Sequence, residues 1–401
     1  MARLAVTNAL IFDGESEDLQ TGTVFIVDGV IEHIGDEAAE SGWDVFDARG
    51  GTITPGLIDA HFHAYATDLD GLIIEATPLS YMALAAARRL RSALGRGFTT
   101  LRDVAGGDPG LARAIDSGLT LAPRYLYSGP GLSQTGGHGD HRPGDLALHA
   151  CHGPHLAEVV DGVDNLRRAV RERLRQGAHV IKIFTSGGVI SPTDPIRNPQ
   201  YSPEEVRAVV EEATRRGSYV AAHAYSPEAI VHSVRNGVRS VEHGNLLDAP
   251  TAEIMAECSA FLVPTLAAYD ALERRGAELG LSAVSQAKNR EVLEAGRDAI
   301  EHARAAGVPV GWGSDLMGVL EDQQLNGLRA QIEVQGPLDA LRSVTSVNAK
   351  LLRRTDIGHV ATGMLGDLVV YAGNPLEDHS LLWDANPSRR IVILGGNIVS
   401  V

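Results

Sequence analysis

The chain alternates between two rhythms of apolar and polar positions. Up to about Thr54, apolar residues recur at every second position in LAVTNALIFDG, GTVFIVDG and VIEHIGD, with Gly and Asp at the turns. Period-2 alternation places apolar side chains on one face of an extended strand, so this stretch predicts short β-strands. The end of the chain has the same pattern in GMLGDLVVYAG and RRIVILGGNIVSV. One small composite β-sandwich over 1–54 plus 359–401 is the economical prediction, with residues 55–358 inserted as a larger α/β unit.

In that insert, short apolar runs alternate with amphipathic stretches. Eight runs read as strands: LIDAHFH (57–63), FTTLRD (98–103), RYLYSG (124–129), HVIKIF (179–184), YVAAH (219–223), RSVEH (239–243), AFLVPT (260–265) and PVGWGSD (309–315). Helical stretches lie between them, including PLSYMALAAARRLRSALGRG and SPEEVRAVVEEATRRG. The second opens on Ser-Pro-Glu-Glu and closes at Gly217, which is sound helix punctuation. Eight strands with intervening helices predict a closed (β/α)8 TIM barrel. A doubly wound open sheet is the alternative, but no Gly-rich dinucleotide fingerprint follows any strand.

Composition narrows the function classes. With 35 Lys and Arg against 51 Asp and Glu, the 401-residue chain carries a formal net charge of -16. Such a surface repels nucleic acid and anionic membranes, so neither is an expected partner. The two cysteines, Cys151 and Cys258, form no CxxC spacing, which argues against a disulfide framework or a cysteine metal site. The N-terminus turns acidic before a signal-peptide core could form, and no apolar run reaches the roughly 18 residues of a membrane span. A cytoplasmic location is expected.

The chemistry-bearing residues sit in or at the ends of the predicted strands. His61 and His63 end the first, Lys182 lies inside the fourth, His223 ends the fifth, His243 the sixth and Asp315 the eighth. A barrel gathers its C-terminal strand ends on one face, where active sites form. A lone histidine at a strand end is ordinarily a hydrogen-bonded structural residue. The i, i+2 spacing of His61 and His63 instead points both rings to the same side. Lys182, between Ile181 and Ile183, would be buried, and an unpaired ammonium there is costly. Desolvation depresses a lysine pKa, and the neutral amine can add carbon dioxide to give a carbamate with two anionic oxygens.

The runs PGLIDAHFH, HVIKIFTSGG, AAHAY, VEHGN and GWGSD resemble the amidohydrolase superfamily in its binuclear lysine-carbamate subtype, over essentially the whole chain. More narrowly, SQTGGH (133–138), IKIFTSGGVISPTDP (181–195) and HAYSPEAI (223–230) resemble a branch of metal-dependent carboxypeptidases and dipeptidases. That branch cleaves Xaa-Pro or Xaa-hydrophobic dipeptides and N-acyl amino acids, and ochratoxin-type and phenylurea hydrolases are similar to it. The resemblance implies that His61, His63 and Asp315 hold a more buried divalent ion and that His223 and His243 hold a more exposed one. Carboxylated Lys182 would bridge the two ions, with a hydroxide between them. Imidazole and carboxylate ligation suits zinc first, with cobalt and manganese as alternatives. Asp315 is then the expected proton acceptor, and His138 and Tyr225 are the expected donors to the oxyanion. A packed loop aromatic is the alternative for Tyr225.

Further readings concern the loops. His138 lies in TGGHGDHRPGD, whose glycines permit close approach to a ligand. His141, His149, His152 and His155 read as solvated loop residues. Backbone N–H groups around Ser186, Gly187 and Gly188 offer an anion nest. Arg197 offers a planar fork for a substrate carboxylate, with a plain surface role as the alternative. Two departures from the family pattern stand out: Ser314 where relatives often have Thr, and ALHACHGPHLAEV where a cysteine-rich stretch is expected.

The expected reaction is hydrolysis of a peptide-like amide in a small-molecule or dipeptide substrate with a Pro or hydrophobic C-terminal residue. Aryl-amide, carbamate or urea hydrolysis, a phosphotriesterase or lactonase, and a non-catalytic scaffold are the alternatives. A deaminase is disfavoured by Ser226, where such enzymes carry Glu, and by the presence of Lys182. Assembly into a homo-oligomer stays open.

Overall fold

The structure is a computed structural model and describes residues 2–142, 155–191 and 194–400. The alternation at the two chain ends becomes one hydrogen-bonded sheet of eight strands. Its long first strand, Arg3–Ile11, pairs antiparallel with Gln20–Val27. It also pairs in parallel, with Asp44–Asp47 along one half and Thr52–Pro55 along the other. The C-terminal strand Leu368–Tyr371 lies antiparallel to Thr52–Pro55, and Arg390–Leu394 and Asn397–Ile398 follow outward. Hydrogen bonding therefore runs continuously through the two halves of the shared first strand. The apolar alternation fills its core with Leu4, Val6, Val24, Ile26, Ile53 and Leu368.

The chain passes from this sheet to the barrel at Gly56. Its N–H donates to the Asp367 carbonyl at 2.7 Å, and a Cβ there would meet the Thr99 side chain at 2.0 Å. Leu57–Phe62, Phe98–Asp103 and Arg124–Tyr127 are parallel neighbours. So are Ile181–Phe184, Val220–Ala224, Ser240–His243 and Phe261–Val263. His179 N–H donates to the Tyr127 carbonyl at 2.9 Å and joins the two groups. The other seam is closed by residues 309–315. Gly311 N–H donates to Leu262 O at 2.8 Å, and Ala60 N–H donates to Trp312 O at 3.0 Å. This eighth segment makes a parallel bridge at Val310 rather than a full ladder.

Six of the barrel strands are buried along their whole length, because helices cover their outer faces. Helix Leu79–Gly95 turns Met82, Ala86, Leu90 and Ala93 inward at helical spacing. Helix Pro203–Arg215 begins with a capping box between Ser202 and Glu205, as its sequence punctuation predicts. Among the described residues, no helix is long and apolar enough to cross a membrane. Cys258 is a free, exposed thiol; Cys151, His149 and His152 lie outside the described residues.

Candidate active site

Residues 61, 63, 182, 223, 243 and 315 meet at the C-terminal end of the barrel, around a cavity of about 740 Å³ that all six line. His61, His63 and Asp315 offer ligand atoms that all lie within 4.8 Å of one another. The His61 and His63 Nε2 atoms are 3.2 Å apart, and Asp315 Oδ1 is 3.4 Å and 3.0 Å from them. The His223 and His243 rings stand 4.5 Å apart, and His243 is 4.9 Å from His61.

The outward-facing ring nitrogens explain this convergence. His61 Nδ1 lies 2.7 Å from Glu242 Oε2, and His63 Nδ1 lies 3.1 Å from the Ala105 carbonyl. Both acceptors draw the ring proton to Nδ1, so the Nε2 lone pairs of both rings face each other and the Asp315 carboxylate. Three acceptors aimed at one point repel unless a cation lies between them. The donor set therefore fits a divalent metal. Without one, the Asp315 charge overcomes burial and raises the His61 pKa. His223 Nε2 lies 3.1 Å from the Gly187 carbonyl, and its Nδ1 has no hydrogen-bond partner among the described residues. Burial holds His223 and His243 well below the usual imidazole range, in the neutral form a ligand requires.

Two of these residues have a left-handed backbone. His243 has φ of 74° and Asp315 has φ of 51°, conformations that cost a non-glycine residue energy and recur at functional sites. Lys182 is only 2% exposed, and its Nζ makes no hydrogen bond among the described residues. Burial lowers its pKa to about 8.

Several supporting residues had not been singled out from sequence. Glu242 is buried and bonded to Arg102 Nη2 through both oxygens, at 2.8 and 2.9 Å. Burial would raise its pKa, but Arg102 and His61 outweigh burial and hold the carboxylate below its ordinary range. Asp103 accepts from Ala64 N–H at 2.9 Å and from the Tyr125 hydroxyl at 2.6 Å, fixing the turn after His63. Arg89 ties that turn to the eighth segment through the carbonyls of His63, Leu316 and Gly318. A buried Arg or Glu inside an apolar strand, as in FTTLRD and RSVEH, is the same signal that picked out Lys182.

The expected oxyanion donors border the cavity. The His138 ring stacks on His223 at 4.3 Å, and its Nδ1 lies 3.2 Å from Asp194 Oδ2. Tyr225 stacks on His243 at 5.1 Å, and its hydroxyl lies 2.8 Å from that of Tyr269, which in turn lies 2.8 Å from His243 Nδ1. Burial keeps both phenols protonated, and so able to donate.

Other expectations do not hold in the structure. Arg197 points away from the cavity and pairs with Glu291 at 2.5 Å. Ser186, Gly187 and Gly188 do not line the cavity either: Gly188 N–H is taken by Asp194 at 3.2 Å, and Ser186 Oγ donates to the Gly187 carbonyl and accepts from Tyr225 N–H. The nest is filled by the chain's own carboxylate. His141 is not solvated but lines the cavity, its ring 2.5 Å from where a Cβ on Gly71 would stand. His155 is buried, and Glu75 accepts its backbone N–H at 2.7 Å.

A model of the amidohydrolase family matches residues 52–399. The chain belongs to the amidohydrolase family. As an amidohydrolase it is a hydrolase acting on C–N bonds, and its TIM barrel with an added β unit is the fold of its relatives. Ochratoxinase from Aspergillus niger is 32% identical over 405 residues, covering 92% of this chain and 81% of its own. The structure of a prolidase complexed with N-methylphosphonate-L-proline is 42% identical, covers 99% of both chains and superposes with a TM-score of 0.96. A Xaa-Pro dipeptidase crystallised with methionine in its active site is 29% identical, covers 100% of both chains and has a TM-score of 0.88.

Proposed function

We propose that this amidohydrolase uses divalent metal to hydrolyse the amide bond between an acyl or aminoacyl group and a C-terminal Pro or hydrophobic amino acid. The observation that carries the reading is the convergence of acceptor atoms from His61, His63 and Asp315 at the floor of an apolar cavity. The 42% identity to a prolidase bound to a proline phosphonate supports the substrate class.

His61, His63 and Asp315 would hold one ion and His223 and His243 a second, with Lys182, as a carbamate, shared between them. Zinc suits the set best, and cobalt or manganese would also fit. Bound there, the ions would polarise the scissile carbonyl and acidify a water at neutral pH. Asp315 takes a proton from the attacking water on a carboxylate oxygen and delivers it to the leaving nitrogen. Tyr225 and His138 donate to the carbonyl oxygen as it gains charge. With Arg197 paired to Glu291 and Arg142 held by both oxygens of Asp140, the substrate carboxylate is left to His141 on the cavity wall.

The wall also favours bulk. Leu69, Leu72, Leu272, Leu281, Leu316 and Leu320 line a cavity in the range that takes drug-sized ligands. This supports a second reading, cleavage of aryl amides such as those the 32% identical ochratoxinase is named for. Calorimetric titration of metal-loaded protein with N-methylphosphonate-L-proline tests the first reading. Saturable binding that is lost in His223→Ala is expected. Absence of binding by protein carrying its metal would overturn the Pro preference.

A further inference from the structure

The loop after the fourth strand carries Asp194, which holds His138, yet the loop itself is held from elsewhere. Lys288, on helix Ala283–Ala305, donates from Nζ to the carbonyls of Gly188 at 3.0 Å, Ser191 at 2.7 Å and Asp194 at 2.8 Å. Three acceptors satisfy an ammonium completely. An arginine fork is planar and cannot direct its donors to three oxygens grouped around a single nitrogen. The chain prefers arginine elsewhere: of its 35 basic residues, only Lys182, Lys288 and Lys350 are lysines, and Lys350 is exposed. One turn earlier on the helix, Ser285 Oγ donates to the Ile190 carbonyl at 3.2 Å.

The gathered loop has a defined task. Asp194 Oδ2 lies 3.2 Å from both His138 Nδ1 and the Gly188 nitrogen. Gly188 lies so close to His138 that a Cβ would come within 2.1 Å of the ring. His138 in turn stacks on His223. Movement of the loop by a fraction of an ångström would displace the imidazole.

We infer that Lys288 is a positioning residue for hydrolysis: it gathers the loop carbonyls so that Asp194 and Gly188 hold His138 over His223. The inference rests on the proposed role of His138. Lys288 touches no candidate metal ligand, so its loss leaves metal content unchanged.

The test is a double-mutant cycle of Lys288→Met with Asp194→Asn in the full, metal-loaded chain, with kcat/KM and amide hydrogen exchange of residues 185–191 both measured. Lys288→Met is expected to lower kcat/KM at least about tenfold, as misplaced catalytic groups do. In the Asp194→Asn background it should cost less than about twofold, because the two residues act as one unit. Exchange of the 185–191 amides should accelerate. Equal losses in both backgrounds would make Lys288 an ordinary stabilising residue and overturn the inference; so would unchanged exchange. If Lys288→Met does not fold, Lys288→Gln, which keeps part of the donor set, is read through the same cycle with the same two criteria. Exchange needs no substrate, so failure of the proposed substrate class leaves this test intact.

Discussion

Replacing Glu242 by Gln separates metal binding from barrel stability. The carboxylate is fully buried and receives Arg102 through both oxygens while accepting from His61 Nδ1 at 2.7 Å. A glutamine has one acceptor oxygen, so its amide group must face either the guanidinium or the imidazole N–H, donor against donor. Removing one member of such a buried pair costs about 3–5 kcal/mol of stability. Removing the acceptor that orients a metal-binding histidine weakens the metal about 10- to 100-fold. That is about 1.4–2.8 kcal/mol of binding energy. The assay is chelator competition for zinc on metal-free protein, with thermal unfolding alongside. Arg102→Met is the control: it also breaks the pair but leaves Glu242 to accept from His61. It should unfold earlier than wild type and bind zinc within about threefold of wild type, far less than an outer-shell loss. Wild-type zinc affinity in Glu242→Gln would refute the reasoning that Glu242 fixes His61 as a ligand.

Lys182→Ala should lose most of its metal and its activity, with partial recovery on adding short-chain carboxylic acids; full activity without additive would exclude a bridging carbamate. Lys182 also sets a pH dependence in the metal-free protein. Its folded pKa of about 8 lies below the ordinary 10.5, so the folded state gains stability as pH rises from 8 toward 10.5 and lacks that gain below 8. Thermal unfolding of metal-free wild type should therefore improve relative to Lys182→Met over that window, and parallel curves would contradict it. Asp315→Asn should lower kcat by about 10²- to 10⁴-fold, measured in protein reloaded with metal, and a rate near wild type would hand the proton to another group. Gly188→Ala should lower kcat/KM about 100-fold with metal content unchanged, because its Cβ would displace the His138 ring. Steady-state kinetics with metal analysis would check this.

What was legible in the sequence follows from distance along the chain. His61 and His63 read as a pair because period-2 geometry is local, and Lys182 stood out because two isoleucines flank it. The helix start at Ser202 was likewise written in four consecutive residues. Arg102 and Glu242 are each marked locally, as charges inside apolar strands, but nothing local reveals that they pair across 140 positions. The loop of residues 185–200 defeated sequence reading for the same reason. Its glycines suggested a nest for a ligand, but the anion that fills it is Asp194, and its shape is set by Lys288 about 100 residues later. Arg197 turns outward to Glu291 on that same helix. His141 appeared solvated because nothing near it in sequence reveals that it packs against Gly71.

The central claim, hydrolysis of an amide next to a C-terminal amino acid, is tested most directly by amino-acid release from zinc-loaded protein. The substrates are a library of dipeptides and N-acyl amino acids with varied C-terminal residues. The account predicts release concentrated on Pro and hydrophobic C-termini. No release, from protein carrying about two metals per chain, would contradict it.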